Sequence, residues 1–127
     1  MKSAVVTSKA PAAIGPYSQG MRFGDMVFTS GQIPVDPDSG AIAQDIASQA
    51  RVSLQNVMAV LGAAGAGAAD VVKTTVFIRD MSRFPEVNAV YEEFFSGGNL
   101  PARSCVEVSA LPKGVLVEIE AIAICSK

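Results

Sequence analysis

The sequence predicts a single-domain α+β fold in which two helices cover one face of a β-sheet. Three observations carry that prediction. Strand-like runs rich in β-branched and aromatic residues recur near the N-terminus, in the middle and at the C-terminus. Only two segments place apolar residues at helical spacing, one after Asp45 and one with Pro85 in its first turn. No repeat, charge run or linker divides the 127 residues, so residues 1–127 read as one domain. Strands, helix, strand, helix, strand, strand is an order met most simply by one sheet and one helical layer.

Ala4-Val5-Val6 is a short strand, followed by a stretch in which Pro11, Gly15 and Pro16 prevent regular structure and present Tyr17. Met21–Phe23 and Met26–Ser30 read as strands joined at Gly24-Asp25, a hairpin dipeptide. At the end of the second, Ser30 suits a strand terminus and Gly31 a backbone kink. Pro37, Asp38, Ser39 and Gly40 form a turn cluster. The first helix carries Ile46, Ala50, Leu54, Val57, Met58 and Leu61 on one stripe, with Asp45 as N-cap. The Gly/Ala patch at residues 62–67 ends it. A dinucleotide-binding loop would follow a strand and space its glycines as G-x-G-x-x-G, whereas this patch follows a helix and lacks the third glycine of that spacing after Gly65 and Gly67.

Asp70–Asp80 is the middle strand. The second helix aligns Val87, Val90, Tyr91, Phe94 and Phe95, and Asn88 stands beside that stripe within helical reach of Phe84 and Tyr91. A polar group there wants partners, which the neighbouring backbone could supply. Pro101–Val108 and Val115–Ile124 flank Leu111-Pro112-Lys113-Gly114 and read as a C-terminal hairpin. Alternation puts Arg103, Cys105 and Glu107 on one face of the first run, and Leu116, Glu118, Glu120, Ile122 and Ile124 on one face of the second. Glu118 sits among aliphatic neighbours, where a carboxylate is costly without a cation or donor. Arg103 is the nearest candidate in the hairpin, either as a structural ion pair or as part of a reactive site. The last strand is apolar on both faces, more than two helices can bury, so a second copy is expected to cover the remainder.

Composition narrows the function. Half the residues are hydrophobic and 17% are charged, a sparse supply for a small monomer. A net charge of −2 with scattered Lys and Arg gives no footprint for nucleic acid or an anionic membrane. The absence of histidine removes the commonest general base and metal ligand. Cys105 and Cys125 make no zinc site alone, and nothing else points to secretion. The uncharged stretch from Val52 to Ala69 holds Ser53, Gln55, Asn56 and three glycines and is not a membrane span. A cytoplasmic protein is expected, or an organellar one whose leader is absent.

Residues 101–108, Pro-Ala-Arg-Ser-Cys-Val-Glu-Val, and residues 117–123, Val-Glu-Ile-Glu-Ala-Ile-Ala, resemble the C-terminal signature of the reactive-intermediate deaminase (Rid, YjgF-like) family. The Gly15-Pro16-Tyr17 stretch and Ser30-Gly31-Gln32 resemble its upstream motifs, so the likeness spans nearly the whole chain. The resemblance implies a chorismate-mutase-like fold, assembled as a homotrimer with clefts between subunits. It implies hydrolysis of 2-iminopropanoate and 2-iminobutanoate, which arise from enamines released by pyridoxal-phosphate enzymes, to 2-oxo acids and ammonia. It places Tyr17 at the active site, lines the pocket with Ser30 and Gly31, and gives Asn88 a supporting place.

The residue types suit that chemistry. Arg103 offers a planar fork for a substrate carboxylate. Glu118 is suited to hold or deprotonate the attacking water, with Tyr17 and Ser30 orienting water or substrate. A backbone donor near Cys105 would share the carboxylate, and neither metal nor organic cofactor is required. Cys105 has no histidine to activate it and reads as pocket lining. Two rivals stay open: a ribonuclease or translation inhibitor, as members of this family have been described, and a non-catalytic 2-oxo-acid-binding or chaperone-like module.

Overall fold

The computed structural model describes residues 1–125. Asp45 starts the first helix, α1 (Ile46–Ala63), by accepting a hydrogen bond from the Ser48 amide at 2.9 Å. Of its expected stripe, Ile46, Ala50, Leu54, Val57 and Leu61 are buried and Met58 is partly buried against them. The second helix, α2 (Phe84–Phe95), has Pro85 in its first turn and buries Val87, Val90, Tyr91 and Phe95. Both helices pack on one face of a six-stranded sheet, through Val76 and Ile78 in the middle strand and Val117, Ile119 and Ala121 in the last.

The strands are β1 (Ser3–Val5), β2 (Gly20–Phe23), β3 (Met26–Thr29), β4 (Val71–Ile78), β5 (Ala102–Glu107) and β6 (Val117–Ile124). β2 and β3 form the expected hairpin, with Gly24 at φ +60° making the turn. Across the sheet the order is β1-β2-β3-β6-β4-β5. Among the described strands only β4 and β5 run parallel.

That order corrects the C-terminal hairpin. β5 and β6 do not pair; β4 lies between them, parallel to β5 and antiparallel to β6. The physical reason is the helix that precedes β5. Strand β4, helix α2 and strand β5 make a crossover unit, and a crossover returns the chain parallel to the strand it left. The loop over residues 108–116 then passes the end of β4 and delivers β6 to its other edge. Pro112 and Gly114 sit in a 3₁₀ turn inside that loop, with Lys113 at φ 57°. The turn chemistry was legible, but it does not join neighbouring strands.

The register fixes which face each side chain occupies. Arg103 is opposite Thr74, which is opposite Ala121, and all three are on the helix-covered face. Glu118 is opposite Phe77, on the other face. That face has no covering layer among the described residues, and Phe23, Met26, Phe28, Val106 and Ile124 are exposed on it. An exposed apolar sheet face of this kind is what the sequence pattern anticipates.

Candidate active site

The residues singled out in the sequence fall into two clusters within one chain. The first surrounds a cavity of about 520 Å³ lined by Ile14, Tyr17, Thr29, Ser30, Gly31, Ile33, Pro112, Glu118 and Glu120. The second lines a cavity of about 430 Å³ and comprises Asn88, Tyr91, Glu92, Leu100, Pro101 and Arg103. The structure thus separates Arg103 from Glu118, and the intrachain ion pair between them does not form. Alternation placed both correctly on their own strands, but the inserted β4 puts them on opposite faces of the sheet.

The Glu118 cluster is held by buried amides and hydroxyls. Gln19, 4% exposed, accepts from the Thr7 amide at 2.8 Å and donates to the carbonyls of Thr7, Ala10 and Pro11. It thereby clamps the loop ahead of Tyr17. The Tyr17 hydroxyl accepts from the Ile14 amide at 3.3 Å, which leaves its own proton free to donate. Ser30 donates its hydroxyl to the Ser18 carbonyl at 2.6 Å, so toward the cavity it offers lone pairs. Beneath this wall, α1 contributes a polar stripe. Ser53 donates to the Gln32 carbonyl at 2.7 Å, and Asn56 donates to those of Ile33 and Val35. Gln49 spans two loops, donating to the Ala43 carbonyl and accepting from the Leu116 amide, both at 2.7 Å.

Sequence reading missed this stripe. Its signal was present: Gln49, Ser53 and Asn56 recur at helical spacing alongside the apolar positions. The backbone groups they serve become visible only when the loops are in place.

Gly31 and Glu118 form the tightest fit in the cluster. A Cβ built on Gly31 would lie 1.9 Å from Glu118 Oε2, so the carboxylate rests against bare backbone. Gly31 is therefore a seat for Glu118 more than a kink. Burial pushes the Glu118 carboxyl above the usual carboxylate range, and the neighbouring charge of Glu120 adds to the rise. Such a carboxylate is a better proton acceptor than an exposed one. Glu120, noted in the sequence only as sharing the face, lines the same cavity.

The Arg103 cluster is built by α2 and β5. Arg103 Nη1 donates to Asn88 Oδ1 at 2.8 Å, so Asn88 serves a side chain instead of the nearby backbone. The guanidinium carbon lies 4.8 Å from the Phe84 ring centroid and 4.7 Å from that of Tyr91. Stacking on two rings and one amide fixes the plane of the fork while leaving it open to solvent. Tyr91 is braced by a 2.7 Å hydrogen bond with Thr74. Cys105, two residues on, is half-buried, and burial raises its thiol pKa despite the opposing charge of Arg103. That disfavours a thiolate. β5 is an edge strand, so half its backbone amides point outward, near the fork. Among the described residues no group of three or more His, Cys, Asp or Glu is arranged to hold a metal ion, and no helix is long and apolar enough to cross a membrane.

Comparison with known proteins agrees with this architecture. The profile of the Endoribonuclease L-PSP family matches residues 7–125. A 2-iminobutanoate/2-iminopropanoate deaminase of Salmonella typhimurium is 59% identical over 126 residues, 98% of each chain. The protein of the same name from Escherichia coli K12 is 56% identical with equal coverage. Among solved structures, the YjgF gene product of E. coli superposes with a TM-score of 0.94 at 55% identity, covering 96% of this chain and 98% of that one. E. coli TdcF with bound serine gives 0.95 at 52% identity, covering 98% and 99%. This chain belongs to the Endoribonuclease L-PSP family, the Rid or YjgF-like group that its motifs resemble.

Proposed function

We propose that this protein hydrolyses short 2-imino acids, 2-iminopropanoate and 2-iminobutanoate, to 2-oxo acids and ammonia. The observation that carries the reading is Glu118: a carboxylate of raised pKa, seated on Gly31 in a cavity faced by a free Tyr17 hydroxyl proton. Relatives 56–59% identical along almost their whole length bear the corresponding deaminase name.

Each chain carries one half of the required chemistry. Glu118 supplies a base without a carboxylate clamp, and Arg103 supplies a clamp without a base. A second copy docked on the open sheet face would bring its Arg103 fork to this chain's Glu118 cavity, and a closed ring of three would complete three such sites. The exposed apolar side chains of that face support the assembly. In the completed site the fork of Arg103 holds the substrate carboxylate bidentately, backbone amides around Cys105 share it, and Asn88 keeps the fork aligned.

The imine carbon then lies near Glu118. Glu118 takes a proton from water as the oxygen bonds to that carbon, and the C=N electron pair moves to nitrogen, which is protonated. The resulting carbinolamine collapses as its hydroxyl proton passes by way of Glu118 to the nitrogen, C=O forms, the C–N bond breaks and ammonia departs. Tyr17 donates to the developing polar group and the Ser30 oxygen orients the water. All charges and atoms balance without a cofactor. The imines would come from enamines released by pyridoxal-phosphate enzymes in the same compartment, the cytoplasm on this reading.

The family's ribonuclease name supplies a second reading. It is disfavoured by a chain with no histidine and a net charge of −2. The deciding measurement is ammonia release from freshly generated 2-aminoacrylate against RNA degradation by the same preparation. Accelerated ammonia release without RNA cleavage is expected; RNA cleavage alone would replace this reading, and neither activity would leave a binding or chaperone-like module.

A further inference from the structure

The Glu118 cavity holds a second carboxylate that the proposed reaction does not use. Glu120 is two residues along β6, on the same face as Glu118, and lines the same 520 Å³ space. Among the described residues no lysine or arginine lines that cavity. Lys73 and Lys113, from neighbouring segments, are not among its lining residues. Lys73, beside Glu120's cross-strand partner Thr75, donates to Ser104 at 3.2 Å. Lys113 lines an adjoining side cavity of about 40 Å³ that shares Ile14, Tyr17, Gly31 and Ile33 with the main one. The charge of Glu120 is felt across the space, since it disfavours ionisation of Glu118. The remaining wall is apolar or neutral: Ile14, Ile33, Pro112 and Thr29.

We infer that Glu120 is a specificity-determining residue that excludes imino acids with an acidic side chain. The inference rests on the deaminase reading above. In that reading one cation, Arg103 of a second copy, is occupied by the carboxylate that every substrate has. A side-chain carboxylate, as in 2-iminosuccinate or 2-iminoglutarate, then has no cationic partner and meets Glu118 and Glu120. The other half-site would add Glu92, a third negative group beside Arg103. Like charges several ångströms apart in a half-desolvated cavity repel far more than in bulk water. Specificity set by such a repulsive element needs no extra contact to the favoured substrate. A neutral short side chain carries no charge for Glu118 and Glu120 to repel and pays no such penalty.

The test compares two imines of equal carbon count, 2-iminopentanoate and 2-iminoglutarate, each generated in situ from its amino acid by an oxidase. The readout is the ratio of their kcat/KM values in one preparation, so a general loss of activity cancels. Wild type is expected to favour the neutral imine by roughly 30-fold or more. Glu120→Gln is expected to shrink that ratio by about 10-fold, whereas Glu120→Asp, which keeps the charge, retains most of it. Raising ionic strength on the unaltered protein should shrink the ratio too, which tests the idea if a variant fails to fold. Equal turnover of both imines by wild type would overturn the inference, as would a ratio that neither Glu120→Gln nor salt moves. If wild type hydrolyses neither imine, the deaminase reading itself fails, and the two failures are told apart.

Discussion

The two clusters of one chain, half-sites on the proposed reading, are built on opposite strategies. The Arg103 half is exposed and held by side chains: two aromatic rings and one amide set the plane of a guanidinium that faces solvent. The Glu118 half is recessed and held by backbone. Gly31 leaves room for the carboxylate, and two side chains of α1, Ser53 and Asn56, pin the loop that carries Gly31 through three of its carbonyls. A cation that must capture a charged ligand from water gains from exposure, because its charge needs no compensation until the ligand arrives. A base gains from partial burial, which raises its proton affinity. Keeping the two on opposite faces of one sheet also prevents them from neutralising each other within the chain.

The largest expected effect comes from separating the halves. Glu118→Gln should lower imine turnover by roughly 100-fold or more while a 2-oxo acid still binds, because the isosteric amide keeps hydrogen bonds and loses the base. Arg103→Lys keeps the charge, loses the fork, and should cost about 30-fold to 1,000-fold in kcat/KM. Co-refolding the two variants should restore about a quarter of the sites, those that combine an intact Arg103 with an intact Glu118 from different chains. No recovery in mixtures shown to exchange subunits would mean that the halves do not meet between copies. Wild-type turnover by Glu118→Gln would make Glu118 a structural carboxylate.

Next in size is Gly31→Ala. Its methyl group would occupy the place of Glu118 Oε2, and the flexible carboxylate end can move where backbone cannot. Turnover should fall by roughly 10-fold to 100-fold, since misplacing a base by about 1 Å is costly, while the melting temperature changes little. A variant as active as wild type would show that Glu118 does not need this seat.

A smaller effect concerns pH. Glu118 is a base only when ionised, and burial with Glu120 raises its pKa, so turnover should fall as pH drops through a value above that of ordinary glutamate. Glu120→Gln removes one cause and should move that acid limb to lower pH; an unmoved limb would assign it to another group. For stability the sign is reversed. A carboxyl whose folded pKa is raised favours the fold at low pH, and that contribution is lost as pH rises through the raised value. Asp36, Asp45 and Asp80 act oppositely: hydrogen bonds from Ser39, Ser48 and Ser82 lower their pKa values, so their contribution is lost on acidification below the ordinary aspartate range.

The smallest effect is expected at Cys105. Its thiol is held protonated by burial, so Cys105→Ser should keep most activity in the imine assay. A collapse to background would revive a thiolate mechanism.

Several features were determined by the sequence alone. Hydrophobic spacing located α1 and α2, Asp45 marked a helix start, and Gly24-Asp25 marked a hairpin, because each depends on residues within a turn or two of one another. Alternation along β5 and β6 sorted Arg103 from its neighbours and Glu118 from its own, since the two-residue period of a strand is local. Strand order was not local. Whether the last two strands pair or admit β4 between them depends on the parallel return imposed by α2, and a Pro/Gly turn looks alike in both cases. The tertiary structure therefore decided that Arg103 and Glu118 occupy opposite faces. It also decided that Gln19, Gln49, Ser53 and Asn56 serve as backbone clamps, and that Glu120 shares the cavity of Glu118. A buried amide or carboxylate takes its role from the group it meets across the fold, and in a sheet that group is fixed by which strands are neighbours.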